Sequence, residues 1–591
     1  MRFGAINAVD TAMRFRREIK NKFDGLKAHP TMMNKKLLRV SLFPAIFLLM
    51  MLIFTPTTES FAAGRKQVVI LDLSDLEWSQ ISANHPNLLN LLETGSAGLV
   101  RLPATSKNWP PNLPVFKESY PKRRIEFYED LVSRIDAKTD FNNTLLLVYT
   151  RSSEEIDPRL TPILLKGSGF NGGVLYSPST RKHGIVTYSD VRSTIFRFVN
   201  PGKTETVFQV RPKPGDWRKL VQSRTNLQKN YAIRWPLLTG YFYLFLGVIL
   251  LLIISFSFRL KREIINGLAW GYLLLLTAPA TFLLEALIDP VEWAPILFWT
   301  FGISGVLFLW SYLGSGKDLT RALLMISFLT AGLAAVNGLT NGYFECKSFL
   351  GYSVVTGARY YGIGNEYMGI LLGASLVGLS LSFNGLKHRG GLVWFAPFLL
   401  GLVLIHPNFG ADVGGGITAL MGLGITNYLW LKQPIRTREM IRLGLMTLTA
   451  LVLAGVWDLY ANRDSMSHLG QLLLAIGDHG PMVLNSMVIR KLSLNLRLIS
   501  STPLTLVLIG ILLAIPLSYR FPLAPLRRMM EKHPEAVAGL TGLAVTALIG
   551  FLVNDSGIVS AAMIFMFGIG LALTVALQEL GGIKIKKDQK S

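Results

Sequence analysis

Apolar runs long enough to cross a bilayer alternate with short basic segments over the C-terminal two thirds of the chain. The pattern predicts spans at 237–257, 266–288, 293–313, 320–340, 367–383, 391–406, 415–431, 441–458, 502–519, 536–553 and 558–578, eleven in all. Residues 64–230 have a different rhythm. Gln67-Val-Val-Ile-Leu-Asp-Leu73 is a buried-strand pattern with a helical one behind it, and Thr144-Leu-Leu-Leu-Val-Tyr149 and Thr161-Pro-Ile-Leu-Leu165 are two more strands. Strands alternating with helices predict an α/β domain built on a parallel sheet. Ahead of it, a basic arm precedes the apolar run 40–54, and two readings stand. One is a signal peptide starting at Met32 or Met33 and cleaved near Ser60-Phe-Ala62; the other is an uncleaved anchor helix. Either one exports the α/β domain. The fold class is therefore a polytopic α-helical membrane protein with an extracytoplasmic α/β domain. Its segments are 1–63 (arm and signal or anchor), 64–230 (α/β domain), 231–580 (membrane domain) and 581–591 (basic cytoplasmic tail).

Composition agrees: half the residues are hydrophobic and the mean hydropathy is +0.39. The net charge of +23 would suggest nucleic acid in a soluble protein. Here much of it lies in short loops between spans, around Lys261, Lys317, Lys387, Arg436 and Arg527, so the positive-inside rule accounts for it and no nucleic-acid partner is assigned. The same rule places the C-terminus in the cytoplasm. A single cysteine, Cys346, excludes an intrachain disulfide and a cysteine metal site.

The domain at 64–230 also resembles a known family. Val68-Val-Ile-Leu-Asp72 followed by His85-Pro-Asn-Leu-Leu-Asn-Leu-Leu-Glu-Thr-Gly95 is similar to the opening of alkaline-phosphatase-superfamily domains. Thr161-Pro-Ile-Leu-Leu-Lys-Gly-Ser-Gly-Phe170 and Gly184-Ile-Val-Thr-Tyr-Ser-Asp-Val-Arg-Ser-Thr-Ile-Phe196 resemble its closing segments. The resemblance implies that Asp72 stands where the family's first metal-binding acid sits. The chain departs from the family elsewhere. Pro103-Ala-Thr-Ser-Lys-Asn-Trp-Pro-Pro111 offers no nucleophile in its usual surroundings, and Tyr149-Thr-Arg-Ser-Ser-Glu-Glu155 replaces an Asp-His-Gly. These departures imply a shortened relative without phosphatase activity.

Candidate chemistry lies in the membrane domain. Gly357-Ala-Arg-Tyr-Tyr-Gly-Ile-Gly-Asn-Glu-Tyr-Met-Gly369 is too rich in glycine, tyrosine and charge for a simple connection. Asn365 is placed to cap the span after it, with Glu366 in its first turn. His406-Pro-Asn-Phe-Gly-Ala-Asp-Val-Gly414 and Asn554-Asp-Ser-Gly557 repeat the grammar, an acid just ahead of an apolar helix. The predicted topology puts Glu366, Asp412 and Asp555 on the extracytoplasmic side. Either these acids are three separate caps or they form one site, with His468 as a fourth catalytic candidate. Gly369 and Gly373, and the run Gly414-Gly-Gly416, permit the helix approach that one site needs. Arg359 and Arg463 run against the charge bias, and phosphate binding would account for them. Asn365, Tyr367 and His406 complete the substrate-binding candidates. The spacing of His406, His468 and His479 fits no metal motif, so no metal or cofactor is assigned. The chain has no P-loop, dinucleotide fingerprint, nucleophile elbow or zincin motif.

Two functions fit. The first is transfer of a glycosyl or phospho group from a lipid-linked donor in bacterial-type envelope assembly, with a carboxylate as base and an arginine on the leaving phosphate. The second is transport or flipping of an anionic or lipid-linked solute, with the same acids coupling protons. A scaffold that recruits other envelope proteins through its exported domain is a third. In each, the first partner is a membrane lipid or lipid-linked substrate.

Overall fold

The computed structural model describes residues 66–73, 76–101, 115–119, 124–150, 160–201, 208–386, 390–462, 466–480, 482–499, 505, 508 and 532–588. The arm and apolar run before residue 66, the segments 103–111 and 151–155, most of span 502–519 and Arg463 lie outside the described residues.

The first part is a mixed sheet of eight strands in the order β3-β1-β4-β5-β2-β6-β8, with β7 paired to β2. The strands are β1 (Gln67–Asp72), β2 (Ser96–Val100), β3 (Val115–Ser119), β4 (Thr144–Tyr149), β5 (Thr161–Lys166), β6 (Val174–Tyr176), β7 (Ile185–Val186) and β8 (Arg211–Lys213). Helices α1 (Pro86–Thr94), α2 (Ile125–Lys138) and α3 (Tyr188–Val199) cover it. All three strands read from the sequence form. Along β4, Leu145 and Leu147 enter one core while Leu146 and Val148 enter the other, as the two-residue strand period requires when both faces are covered. The sheet is not purely parallel: β5 runs antiparallel to both β4 and β2, and β8 antiparallel to β6. Residues 150–160 are too short for the helical crossover that a parallel β4–β5 pair would need.

The sheet passes into the helices without a linker. Helix α4 (Trp217–Ser257) is continuous for 41 residues, with Pro236 inside it. Its start packs Trp217 and Leu220 into the sheet core, and its end is an apolar span. The sequence-based boundary at 230/231 therefore falls inside one helix. After it come α5 (Arg262–Leu276), α6 (Ala278–Glu285), α7 (Trp293–Gly314), α8 (Leu319–Leu339), α9 (Asn365–Leu386), α10 (Gly390–Ile405), α11 (Val413–Thr418) and α12 (Gly424–Trp430). The chain continues through α13 (Thr437–Ala461), α14 (His468–His479), α15 (Met482–Ile499), α16 (Pro534–Val553) and α17 (Gly557–Asp588).

Among the described residues seven helices are long and apolar enough to cross a membrane, not eleven. Helix α9 is 22 residues long and opens on the polar turn Asn365-Glu366-Tyr367, and its side chains beyond residue 382 lie outside the described residues. Helix α10 is 16 residues long, short of a span. The expected span 415–431 is broken, α11 giving way to a π-helical turn at Ala419–Leu423 before α12. The span 502–519 is largely undescribed. Of the best apolar window in α17, 83% is buried, against 11% for α7, so α17 is the central helix and α7 an outer one.

Two glycines set the central contact. A Cβ on Gly369 would lie 2.6 Å from the Ser560 carbonyl oxygen, and one on Gly373 would lie 2.9 Å from Ile564 Cα. Helices α9 and α17 thus touch backbone to backbone, as small residues four apart allow.

Candidate functional site

The polar stretch 357–364 and the long connection 340–356 fold together at the head of α9. Glycine makes their stacking possible. Gly342 and Gly362 have φ of +72° and +75°, and a Cβ on Gly362 would overlap the Gly410 carbonyl oxygen. Gly362 N–H donates to Asn341 O (3.0 Å) and Ile363 N–H to Gly410 O (2.7 Å), which joins this loop to the 406–412 loop.

Glu345 is buried under this double layer, fully out of contact with solvent. It accepts from Asn337 Nδ2 (2.9 Å) and from Gly364 N–H (2.8 Å). Burial pushes its pKa up to about 8; Glu366 adds to the rise, and Arg359 opposes it. Glu345 is therefore neutral at pH 7. A Cβ on Gly364 would overlap Glu345 Oε1 and lie 3.1 Å from Glu366 Oε2, so both carboxyl groups converge on one glycine. Glu366 is partly buried in the first turn of α9, and among the described residues it makes no hydrogen bond or ion pair. Arg234 of α4 lies within electrostatic reach of both acids, with its Nε buried and lacking a hydrogen bond.

Arg359 lies beside this pair. Its Nη2 reaches the Ala411 carbonyl at 3.4 Å, while Nη1 is buried with no acceptor among the described residues. Asp412, at the N-cap position of α11, makes no full side-chain capping bond, although the Gly415 N–H is near enough to oppose the rise in its pKa, and among the described residues its Oδ2 is buried without a hydrogen bond. Burial raises the Asp412 pKa, with Arg359 the main opposing influence. An unpaired buried donor or acceptor costs about 1–3 kcal/mol, so a donor and an acceptor left open in one cluster fit a place for a ligand or water. Asp555 acts electrostatically on Asp412 and lies 3.8 Å from Arg490 Nη2 and 3.7 Å from Lys491 Nζ. Gly414 lets the α11 start approach the head of α17: a Cβ there would overlap Asn554 Oδ1.

His468 opens α14 and is exposed, its ring stacked 6.5 Å from that of Tyr361. Desolvation lowers its pKa, Arg359 lowers it further, and Asp555 acts against both. Its imidazole is therefore neutral at pH 7, available as a proton acceptor.

Glu366, Asp412, Asp555, His468 and Arg359 thus come together at the heads of α9, α11, α14 and α17. The other candidates have local tasks. Asn365 is the first residue of α9, one place inside its expected cap position. The Tyr367 ring is fully buried, its hydroxyl 2.8 Å from Ser348 Oγ and donating to Pro279 O (3.0 Å). His406 stacks on Phe409 at 4.4 Å and accepts from Asn408 N–H, with its pKa lowered by desolvation. Glu285 accepts from Thr300 and lines a different recess, with Asp289 and Lys347.

Sequence reasoning missed Glu345, Arg234 and Asp458. Glu345 had a readable signal, an acid in the apolar-flanked run Asn341-Gly-Tyr-Phe-Glu-Cys346. Asp458 is fully buried and receives Ser467 N–H, Ser467 Oγ and Gly470 N–H at 2.7–3.1 Å, fastening α13 to the head of α14 beneath His468. Among the described residues no group of three or more His, Cys, Asp or Glu side chains is arranged to hold a metal ion. Asp72, at the end of β1, accepts from the Tyr149 hydroxyl at 2.8 Å.

Fold and site together define a membrane-embedded helical protein that carries a small mixed-sheet domain and a mixed-charge cluster at the helix heads below it. No family model, curated protein or solved structure matches the chain.

Proposed function

We propose that this chain is an envelope-assembly enzyme that transfers a glycosyl or phospho group from a lipid-linked donor at the outer face of the membrane. The observation that carries this reading is the pairing of two open groups in one cluster, Arg359 Nη1 and Asp412 Oδ2. A guanidinium with a free donor suits a phosphate oxygen, and a carboxylate with a free oxygen suits an acceptor hydroxyl. In the reaction the hydroxyl proton passes to Asp412 or Glu366. The acceptor oxygen bonds to the transferred group, the bond to the leaving phosphate breaks, and Arg359 holds the charge that develops there. Neutral His468, at the exposed edge, relays the proton to water. Basic loops opposite the cluster support a topology with the sheet domain outside and the C-terminus inside. The sheet domain acts as a catalytically silent relative of the alkaline phosphatases that holds the acceptor or a partner protein.

A second reading, transport or flipping of a lipid-linked anion, is favoured by one feature, the break in the α11–α12 segment at Ala419–Leu423. One experiment separates the two. Lipids are compared between cells with and without the protein, and the accumulating species is assigned to a leaflet. A lipid-linked intermediate gathering in the outer leaflet supports transfer, and one gathering in the inner leaflet supports flipping. Asp412→Asn and Glu366→Gln should reproduce the deletion while the protein still reaches the membrane. Normal function of both variants at wild-type abundance sinks the site.

A further inference from the structure

The sheet domain reaches into the cluster through the side chain of Arg181. Its turn is rigidly built. Asp190, fully buried, accepts from the Ser177 and Ser179 hydroxyls, Arg181 N–H donates to Ser177 O (2.9 Å), and Arg181 itself adopts a left-handed φ of 52°. From this turn Arg181 crosses to the helical domain. Nη1 donates to Pro407 O (2.6 Å), and the guanidinium lies 4.2 Å from the centre of the Tyr361 ring. Arg359 acts electrostatically on the same Tyr361, and Arg181, Arg359 and Arg490 all act on His468, where Asp555 is the opposing acid. Arg181 thus touches the tyrosine of this stack, and Arg181 and Arg359, from separate parts of the chain, are both hydrogen-bonded to carbonyls of the 406–412 loop. Arg490 has Asp555 beside it at 3.8 Å, whereas among the described residues Arg359 Nη1 is buried without an acceptor, which leaves a donor for an anion on the loop that Arg181 also holds.

We propose that Arg181 and Arg359 form a two-guanidinium clamp over Tyr361 that binds a phosphate or diphosphate group, making the sheet domain part of the binding site. The clamp rests on the reading of the cluster as a phosphate-handling site and adds to it a residue and a domain. It also gives the sheet domain a task that needs no activity of its own.

The test uses the full chain in detergent and titrates it calorimetrically with inorganic diphosphate and, separately, with farnesyl diphosphate. Arg359→Ala and Arg181→Ala should each weaken binding at least about tenfold. Arg181→Gln, which keeps an N–H donor for Pro407 but loses the charge, should weaken it similarly at an unchanged melting temperature without ligand. Tighter binding of farnesyl diphosphate supports the clamp and identifies a lipid headgroup as its ligand; equal binding supports it for the free anion. If Arg359→Ala loses binding while both Arg181 variants bind as wild type, the clamp is overturned and the Arg359 site stands. If the wild-type chain binds neither probe, both readings fall.

Discussion

At the scale of single residues, the site is defined by groups whose hydrogen bonds are incomplete and by one carboxyl group that burial keeps protonated. Glu345 carries a direct test. Its pKa rises from 4.5 to about 8 on folding, so between these values the folded chain holds a proton that the unfolded chain has lost. Stability from this group is full below pH 4.5, falls by about 1.4 kcal/mol per pH unit above it, and is gone past about pH 8. Glu345→Gln mimics the protonated acid, so it should remove this slope and raise the relative stability of the chain at pH 8. Thermal unfolding of both proteins from pH 5 to 8 reads it, and parallel curves would count against a buried neutral Glu345. Asp412 and the capping residues separate by a second measurement. Asp216, whose side chain accepts from Arg218 N–H at 2.8 Å, is a true cap, and Asp216→Ala should cost about 0.5–2 kcal/mol. Asp412 makes no such bond, so Asp412→Asn should leave stability within about 1 kcal/mol while abolishing function.

At the scale of elements, the glycines near the cluster serve close contact. Any side chain at Gly373 would press on the backbone of Ile564, which cannot rotate aside. Gly373→Leu should therefore strip most folded protein from detergent extracts, a loss of about 3 kcal/mol or more by the usual cost of overpacking, about 1–3, added to separated helices. Gly302→Ala on α7 meets nothing within 4 Å and should elute normally on size exclusion. Equal yields for the two variants would contradict the α9–α17 contact. The same steric logic applies just before α9: Gly364, packed between two carboxyl groups, has no room for a side chain, and the helix follows from Asn365.

At the scale of the whole molecule, the sheet domain and the helices are bound together by α4 and by the 340–364 loop. Val355 enters the sheet core, while Tyr352 and Val354 pack with Ile185. Cys346 sits at this junction, partly exposed, with its Sγ 3.3 Å from Lys182 Nζ. With the sheet domain outside, a membrane-impermeant thiol reagent should label Cys346 in intact cells. A cysteine placed at Lys387 in a Cys346→Ser chain should react only after permeabilisation; the reverse pattern would invert the topology. Because α4 is continuous, phosphatase assays belong to the full chain. No metal-dependent turnover of phosphoesters is expected, and turnover abolished by Asp72→Asn would overturn the silent-relative proposal.

The sequence alone determined the membrane class, three strands of the sheet and the approximate positions of most helices, because hydrophobic runs and strand patterns are local properties. It also singled out Glu366, Asp412, Asp555, His468 and Arg359, since charge next to an apolar helix is conspicuous in a chain of this composition. Tertiary structure alone decided which of these share a cluster, because that depends on the backbone contacts of Gly362, Gly369, Gly373 and Gly414 between segments far apart in the chain. It also broke the expected span 415–431: the turn at Ala419–Leu423 is a change of hydrogen-bond register that hydropathy does not record. Arg234 and Arg181 became visible only there, and Glu345, legible as an acid in an apolar-flanked run, acquired its role only there. Their meaning lies in what burial and distant neighbours do to their charge, and no local pattern carries that.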